Sequence, residues 1–494
     1  LTVSVGGTHV LEADNPSSGA AVTKTYAISV APGLQQSFLV ALYDGTGGTG
    51  NLLGRSVTLQ DVVIDKANQL TIVVDGQLAK IGIVPIANPY LETGVSGATY
   101  TLVGPLAQTF ALIPEDADGY TIVSPGKIPP LTLTSPTAAI VATAVPNSTD
   151  NAYTIAGPVP TTSITLTAQG TDLNGTIVKA TFTAQILAAL FVTDPVAHRI
   201  AVLDDKGDAL TFPSTAFADV RDTHNCGPHG ITYVAPTSAH PIPELYVARC
   251  TGNPSAGGPG NIGIFDLLGN EIAPATAMAP NQPQFLTYDP GANSGMGAMI
   301  VADSGNTDSD ASIEMYGLDG TPTFNNSGPH PRLFEQANAP SKVAFDPTLA
   351  SPDYMITDGT GYVERYAHDG TFISKTAAGT SPGGIAYDTN NKRYYVTTYG
   401  SAVPGNVAVG ERGTLYAFDA TLTQQTTGTA NALAFMNLSS RPTDVVFDPY
   451  NLVLYVANYA GNNIMTFNED GSASTQFASP VTSIVDPLGL ALAP

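Results

Sequence analysis

A chain of 494 residues with 18 Lys and Arg against 41 Asp and Glu carries a formal charge of −23, and it has no cation cluster with which to grip phosphate, which excludes nucleic acid and anionic lipid as partners. With 12% charged residues, 49 Gly, 38 Pro and no Trp, it has the composition of a many-turned all-β protein, too long for one ordinary core. No run of about 18 consecutive apolar residues occurs, so no transmembrane segment is expected, and an acidic, Lys-poor chain beginning at Leu1 points to export with a signal already removed.

From Leu1 to about Gly76 short strands alternate with turn residues: LTVSV, HVLEAD, KTYAISV, SFLVALYD, the Gly-rich GTGGTGN, LLGRSVTLQDVVID and QLTIVVDG. Two-residue periodicity at Phe38, Val40 and Leu42 and at Leu70, Ile72 and Val74 predicts an immunoglobulin-like β-sandwich over 1–94. It lacks a Cys pair and a core Trp, so packing alone must hold it. The phrase SFLVALYDGTGGTGNLLG resembles a segment of secreted or surface multi-domain bacterial proteins. Lys80 to Gly94 reads as a strand running into a Pro-punctuated connector, short enough that its flanking domains should touch. A second Ig-like sandwich is expected over 95–187, from TYTLVG to GTIVKATFTAQ. Within it, Glu115 to Gly119 (EDADG) is either a calcium-binding turn or a solvated β-turn. ILAAL then leads into the next domain without a flexible linker.

Residues 188–494 are organised by a repeat. At Pro442 to Gly471 it reads as a strand (Thr443 to Phe447), an Asp448-Pro449 turn, a second strand (Leu452 to Ala457), a Gly/Asn loop, a third strand (Asn463 to Phe467) and a turn at Glu469 to Gly471, with a short polar strand expected near Ser474 to Phe477. The same order recurs from Pro228, Pro283, Pro340 and Pro382, at roughly the 40 to 55 residues of a four-stranded propeller blade. A sixth copy is split: LFVTD at Leu190 to Asp194 is a second strand whose missing first strand, PLGLALAP, lies at Pro487 to Pro494. Joining them closes a ring without exposed edges. Apolar residues of both parities, as in Val445, Val446 and Phe447, predict inner strands buried on both faces.

The motifs P-x-G-[IL]-A-[YF]-D-P, LYV-[AT]-[DN] and I-x-x-[FY]-x-x-[DE]-G, covering about three-fifths of the chain, resemble those of the NHL and YncE-like bacterial propellers. The resemblance implies a six-bladed β-propeller; it says little about function, because the motif positions build turns and core. NHL-like relatives include lyases and esterase-like or lactonase-like enzymes that use propeller-face Glu, Asp, Asn and His around a divalent metal. Here no copy pairs a His with a carboxylate in register.

In the repeat frame Cys226 precedes the first strand of its blade and Cys250 follows the second, neighbouring ends of an antiparallel hairpin. A disulfide between them is expected, which implies an oxidising compartment; two buried free thiols are the alternative. His224 and His229 flank Cys226, but a His/Cys metal site would need that thiol free. The residues ending the second strands form a candidate propeller-face ring of Asp194, Arg249, Asp303, Asp358, Thr398 and Asn458. Such a set either coordinates a metal and polarises a small substrate or starts each following turn by bonding its own backbone. Asp303, Asn306, Asp308 and Asp310 resemble the first half of a calcium loop, without the bidentate Glu that closes one, so structural calcium competes there with a plain solvated loop. No other cofactor is implied: there is no G-x-S-x-G elbow, HExxH, CxxC or P-loop Lys.

The sequence therefore predicts an exported, non-catalytic structural or binding protein of the cell surface or extracellular matrix. Its partners would be protein, surface polysaccharide or further copies of itself in a filament. The alternative is an exported metal-dependent hydrolase or lyase on an NHL-like propeller.

Overall fold

The computed structural model describes residues 1–13, 26–64, 68–69, 75–86, 91–92, 99–103, 108–122, 129–135, 141–144, 151–156, 161–209, 217, 219–221, 227–249, 260–275, 278, 280–305, 311–323, 332–335, 340–398, 413–423, 433–434, 441–477, 481 and 484–493. They form a nearly all-β, propeller-like protein. Two compact units are present: Leu1–Leu102 with Ala107–Ile186, and Leu187–Pro494 with Val103–Leu106. Among the described residues no helix is long and apolar enough to cross a membrane.

In the first unit, residues 2–76 contribute one antiparallel sheet in which Thr2–Val5 lies between Thr8–Glu12 and Gly33–Tyr43, followed by Leu52–Val62 and Asp75–Gly76. Alternation puts Val3, Val5, Phe38 and Val40 inside. The strand expected at KTYAISV does not form in its described part, since residues 26–32 are irregular. Lys80–Ile86, read from sequence as the strand that runs into a connector, is a strand hydrogen-bonded along Gln108–Glu115 as the edge of a four-stranded sheet. That sheet shares a core with a five-stranded one: Ile81, Phe110, Leu112 and Ile155 meet Leu131, Leu133, Leu166 and Phe182. At the EDADG turn the Asp116 carboxylate accepts the amides of Asp118 and Tyr120 at 3.0 and 2.9 Å, closing a β-turn on its own chain.

Among the described residues the second unit holds six small antiparallel sheets. Their inner strands are Pro228–Val234, Pro283–Asp289, Pro340–Ala344, Pro382–Asp388, Pro442–Asp448 and Leu490–Ala493. The second strands are Glu244–Arg249, Ala298–Asp303, Tyr354–Asp358, Arg393–Thr398, Val453–Asn458 and Ala189–Asp194. The C-terminal strand pairs with the strand that opens the unit, Leu190 opposite Leu492 and Val192 opposite Leu490, as the split repeat predicts. Each inner strand packs on the next, and Leu490–Ala493 touches both Pro442–Asp448 and Pro228–Val234. Near Ser474 the expected fourth strand is reduced to isolated bridges, Phe467 to Ala473 and Ile464 to Val481.

Two polar devices make this packing specific. The turn aspartates use one carboxylate oxygen for backbone amides: Asp388 accepts Asn390 and Asn391, and Asp448 accepts Tyr450 and Asn451. Threonines of the second strands bridge neighbouring sheets. The Thr357 hydroxyl accepts the Lys342 amide at 3.0 Å and donates to the Gly383 carbonyl at 2.5 Å, and Thr193 accepts the Gly489 amide while donating to the His229 carbonyl. Around these bridges the sheets also pack through apolar residues, as where Leu415, Ala417, Val445 and Leu454 share one cluster.

Candidate functional site on the axis of the repeat

The six ring positions are equivalent in structure as in sequence. Five stand opposite the proline that starts the inner strand of their sheet, as Asp303 does with Pro283 and Asn458 with Pro442. All six are buried. Four of them, Asp194, Asp303, Asp358 and Asn458, accept backbone amides of adjoining loops, while Asp358 Oδ2 has no hydrogen-bond partner among the described residues. Asp303 accepts the amides of Asn281, Gln282 and Gly305 at 2.8, 2.7 and 2.9 Å. Asp194 accepts those of Ala197 and Val485 and the Arg199 guanidinium. Asn458 accepts the Arg441 amide at 2.8 Å, and Asp358 accepts the amide and hydroxyl of Thr360. Thr398 donates weakly to the Thr414 carbonyl, while Arg249 pairs with Glu271 at 2.8 Å and lies over the Phe265 ring. These residues shape turns.

Among the described residues no group of three or more His, Cys, Asp and Glu is placed to hold a metal. Cys226 and Cys250, His224, and the loop residues Asn306, Asp308 and Asp310 lie outside the described residues. Of the acidic loop only Asp303 is described, and backbone amides engage both its oxygens.

A second ring, which the sequence reading did not single out, occupies the axis. It is the third residue of the five inner strands that open on proline, Gly230, Phe285, Lys342, Gly384 and Asp444, together with Gly489, which immediately precedes the sixth. Here the strands come too close for most side chains. A Cβ on Gly230 would lie 2.5 Å from the Phe285 Cα, and one on Gly489 would lie 2.5 Å from the His229 carbonyl oxygen. The buried Lys342 ammonium lies 2.5 Å from the buried Asp444 carboxylate, with the Phe285 ring beneath it. Gly384, on the strand between them, makes room, since its Cβ would meet Asp444 Oδ1 at 2.6 Å. Asp444 also accepts the amides of Val445 and Leu490 at 2.8 and 2.9 Å. Burial pushes its pKa up, and the Lys342 charge pulls it back. The sequence signal was present: two opposite charges at one repeat position otherwise held by Gly or Phe, inside apolar strands.

From Lys342 a cavity of about 290 Å³ runs toward the Asp-turn ends of the inner strands. All six inner strands line it, with Ile231, Leu286, Val343, Ile385, Val445 and Leu490 as an apolar collar and Tyr233, Tyr288 and Tyr387 farther out. It therefore lies toward the end of the strands away from the six predicted ring residues.

No protein-family profile matches the chain, and no curated protein does. Solved structures of similar fold include a chain of the nidogen/laminin complex (15% identity, TM-score 0.41, covering 62% of this chain and 98% of that one). A protein of unknown function from Bacteroides caccae gives 11% identity and TM-score 0.38 over 62% of this chain and 99% of its own. Hydrazine synthase of Kuenenia stuttgartiensis gives 14% and 0.37 over 62% and 74%.

Proposed function

We propose that the chain is an exported, non-catalytic binding and structural protein in which two Ig-like sandwiches, 1–94 and 95–187, precede a closed six-bladed propeller, 188–494, completed by the C-terminal strand. Closure is supported by the pairing of Leu490–Ala493 with Ala189–Asp194 and by the contact of each inner strand with the next around one cavity. The observation that carries the functional reading is the occupation of the ring side chains. Asp194, Asp303 and Asn458, where a metal or substrate site would be built, are engaged by backbone amides, and the axis holds a self-neutralised ion pair. Rigid sheets with turns fixed in this way present surfaces to protein, surface polysaccharide or further copies. The low-charge, acidic composition suits a location outside the cell. Fractionation and electron microscopy of the native protein test this: surface-bound or polymeric material is expected. Cytoplasmic monomers, or a metal-dependent turnover lost on chelation, would overturn it in favour of a hydrolase or lyase.

A further inference from the structure

The sheet ending in Asn463–Asn468 meets the sheet that joins the two ends of the repeat through three buried carboxylates, Asp204, Asp205 and Asp448. One side chain links the two sides: Asn451 Nδ2 donates to Asp205 Oδ2 at 2.9 Å and to Asp448 Oδ2 at 2.8 Å. The Tyr455 hydroxyl, donating to the Asp205 carbonyl at 3.1 Å and toward Asp448 Oδ2 at 3.4 Å, spans the same boundary, and Gln476 donates to that carbonyl at 2.9 Å. Asp204 turns its Oδ1 to the amides of Lys206 and Asp208, and Asp448 turns its Oδ1 to those of Tyr450 and Asn451. Asp205 Oδ1 has no hydrogen-bond partner among the described residues.

Other boundaries between sheets repeat the tyrosine contact without this crowding. Tyr246 donates to the carbonyl of Leu318, an apolar residue at the place of Asp205, and Tyr395 donates to the carbonyl of Glu469, whose half-buried carboxylate reaches the Asn390 amide. Among these three boundaries, a buried carboxylate is set against another only beside the sheet that joins the two ends of the repeat.

We propose that this junction is a proton-tightened latch: a proton held at Asp205 removes one of three like charges and closes the boundary more firmly in mild acid than at neutral pH. The charged and titratable groups around Asp205 are Asp448 and Tyr455 from the facing sheet and Asp204 and Lys206 from its own turn. Burial, reinforced by the charges of Asp204 and Asp448 and opposed by the Asn451 hydrogen bond and Lys206, pushes its carboxyl from 3.8 up to about 6. A folded-state pKa above the unfolded value means the folded protein holds the proton more tightly. The stabilisation is complete below pH 3.8, shrinks as pH rises and is gone above about pH 6. A rise of about two pKa units corresponds to roughly 100-fold in the opening equilibrium.

Hydrogen exchange of the full chain, read on peptides covering 189–194 and 490–493 and corrected for intrinsic rates, tests the latch. Wild type is expected to show about 10-fold more protection at pH 5.0 than at pH 7.5, the part of the roughly 100-fold limit that is reached at pH 5.0. Asp205→Asn, neutral at both, should keep acid-level protection at both. An unchanged pH ratio in Asp205→Asn, or equal wild-type protection at the two pH values, overturns the proposal. Should that variant not accumulate, Asp205→Ser and the wild-type unfolding midpoint at pH 5.0 and 7.5 give the same discrimination, since a midpoint that does not fall at pH 7.5 also overturns it.

Discussion

Replacing Lys342 by Met should leave a fully buried Asp444 carboxylate facing a thioether. Because Lys342 and Asp444 are both buried and 2.5 Å apart, removing one partner strands an unpaired buried charge. Such a loss costs about 3–5 kcal/mol. The amides of Val445 and Leu490 remain on Asp444, which argues for the lower half of that range. Burial already raises the Asp444 pKa against the lysine's pull, so without the lysine the carboxyl should rise further and take up a proton. A raised folded-state pKa gives stability that is present in acid and lost as pH rises, so the deficit of Lys342→Met should be larger at pH 8 than at pH 5. The double variant K342M/D444L removes both charges and leaves two amides without an acceptor, roughly 1–3 kcal/mol each. Its cost should fall at least ~3 kcal/mol short of the sum of the two single variants. Urea unfolding followed by near-UV circular dichroism, which reads the tyrosines of a chain without Trp, gives these values. A single-variant cost below about 1 kcal/mol at pH 8, or simple additivity in the double, would refute the account of the axis.

Removing the C-terminal strand from Leu490 onward should destabilise the whole repeat. Burying its two leucines contributes about 1.5–3 kcal/mol each where burial is complete, and Asp444 also loses the Leu490 amide; an unchanged midpoint in a truncated monomer speaks against the joining of the ends. Asp303→Ala deprives three backbone amides of their acceptor and should cost about 2–4 kcal/mol, whereas a loss under ~0.5 kcal/mol, the size of an ordinary surface change, would mean water replaces the carboxylate. Cys226 and Cys250 should be found bonded by mass spectrometry of native protein, and their reduction should cost roughly 2–4 kcal/mol; two free thiols in folded material would remove that bridge.

The repeat was legible because five inner strands open on proline and three of them end on a turn aspartate, and both residues act locally: proline fixes its own φ and aspartate caps its own turn. The C-terminal strand was legible for a related reason, since PLGLALAP supplies the one part that the copy at Leu190 lacks. Distant consequences were harder to read. The aligned Asp, Arg, Thr and Asn positions can be found by counting, but whether a carboxylate meets a metal or three amides depends on the loop that returns beside it, and the register of that loop is not written in the repeat. Lys342 and Asp444 show the same limit from the other side. They are two repeats apart, and what joins them is the packing of each inner strand on the next, which sets Lys342 against Asp444 across the strand that holds Gly384. Gly384 belongs to this pair as much as either charge does: any side chain there would occupy the space of the Asp444 carboxylate, so the glycine is a steric requirement of the fold. Leu454 to Val456 illustrate why function is harder still to read than fold. A strand buried on both faces needs only apolar residues of suitable volume, which leaves specificity to the few buried polar groups, and each of those is defined by a partner contributed from another sheet.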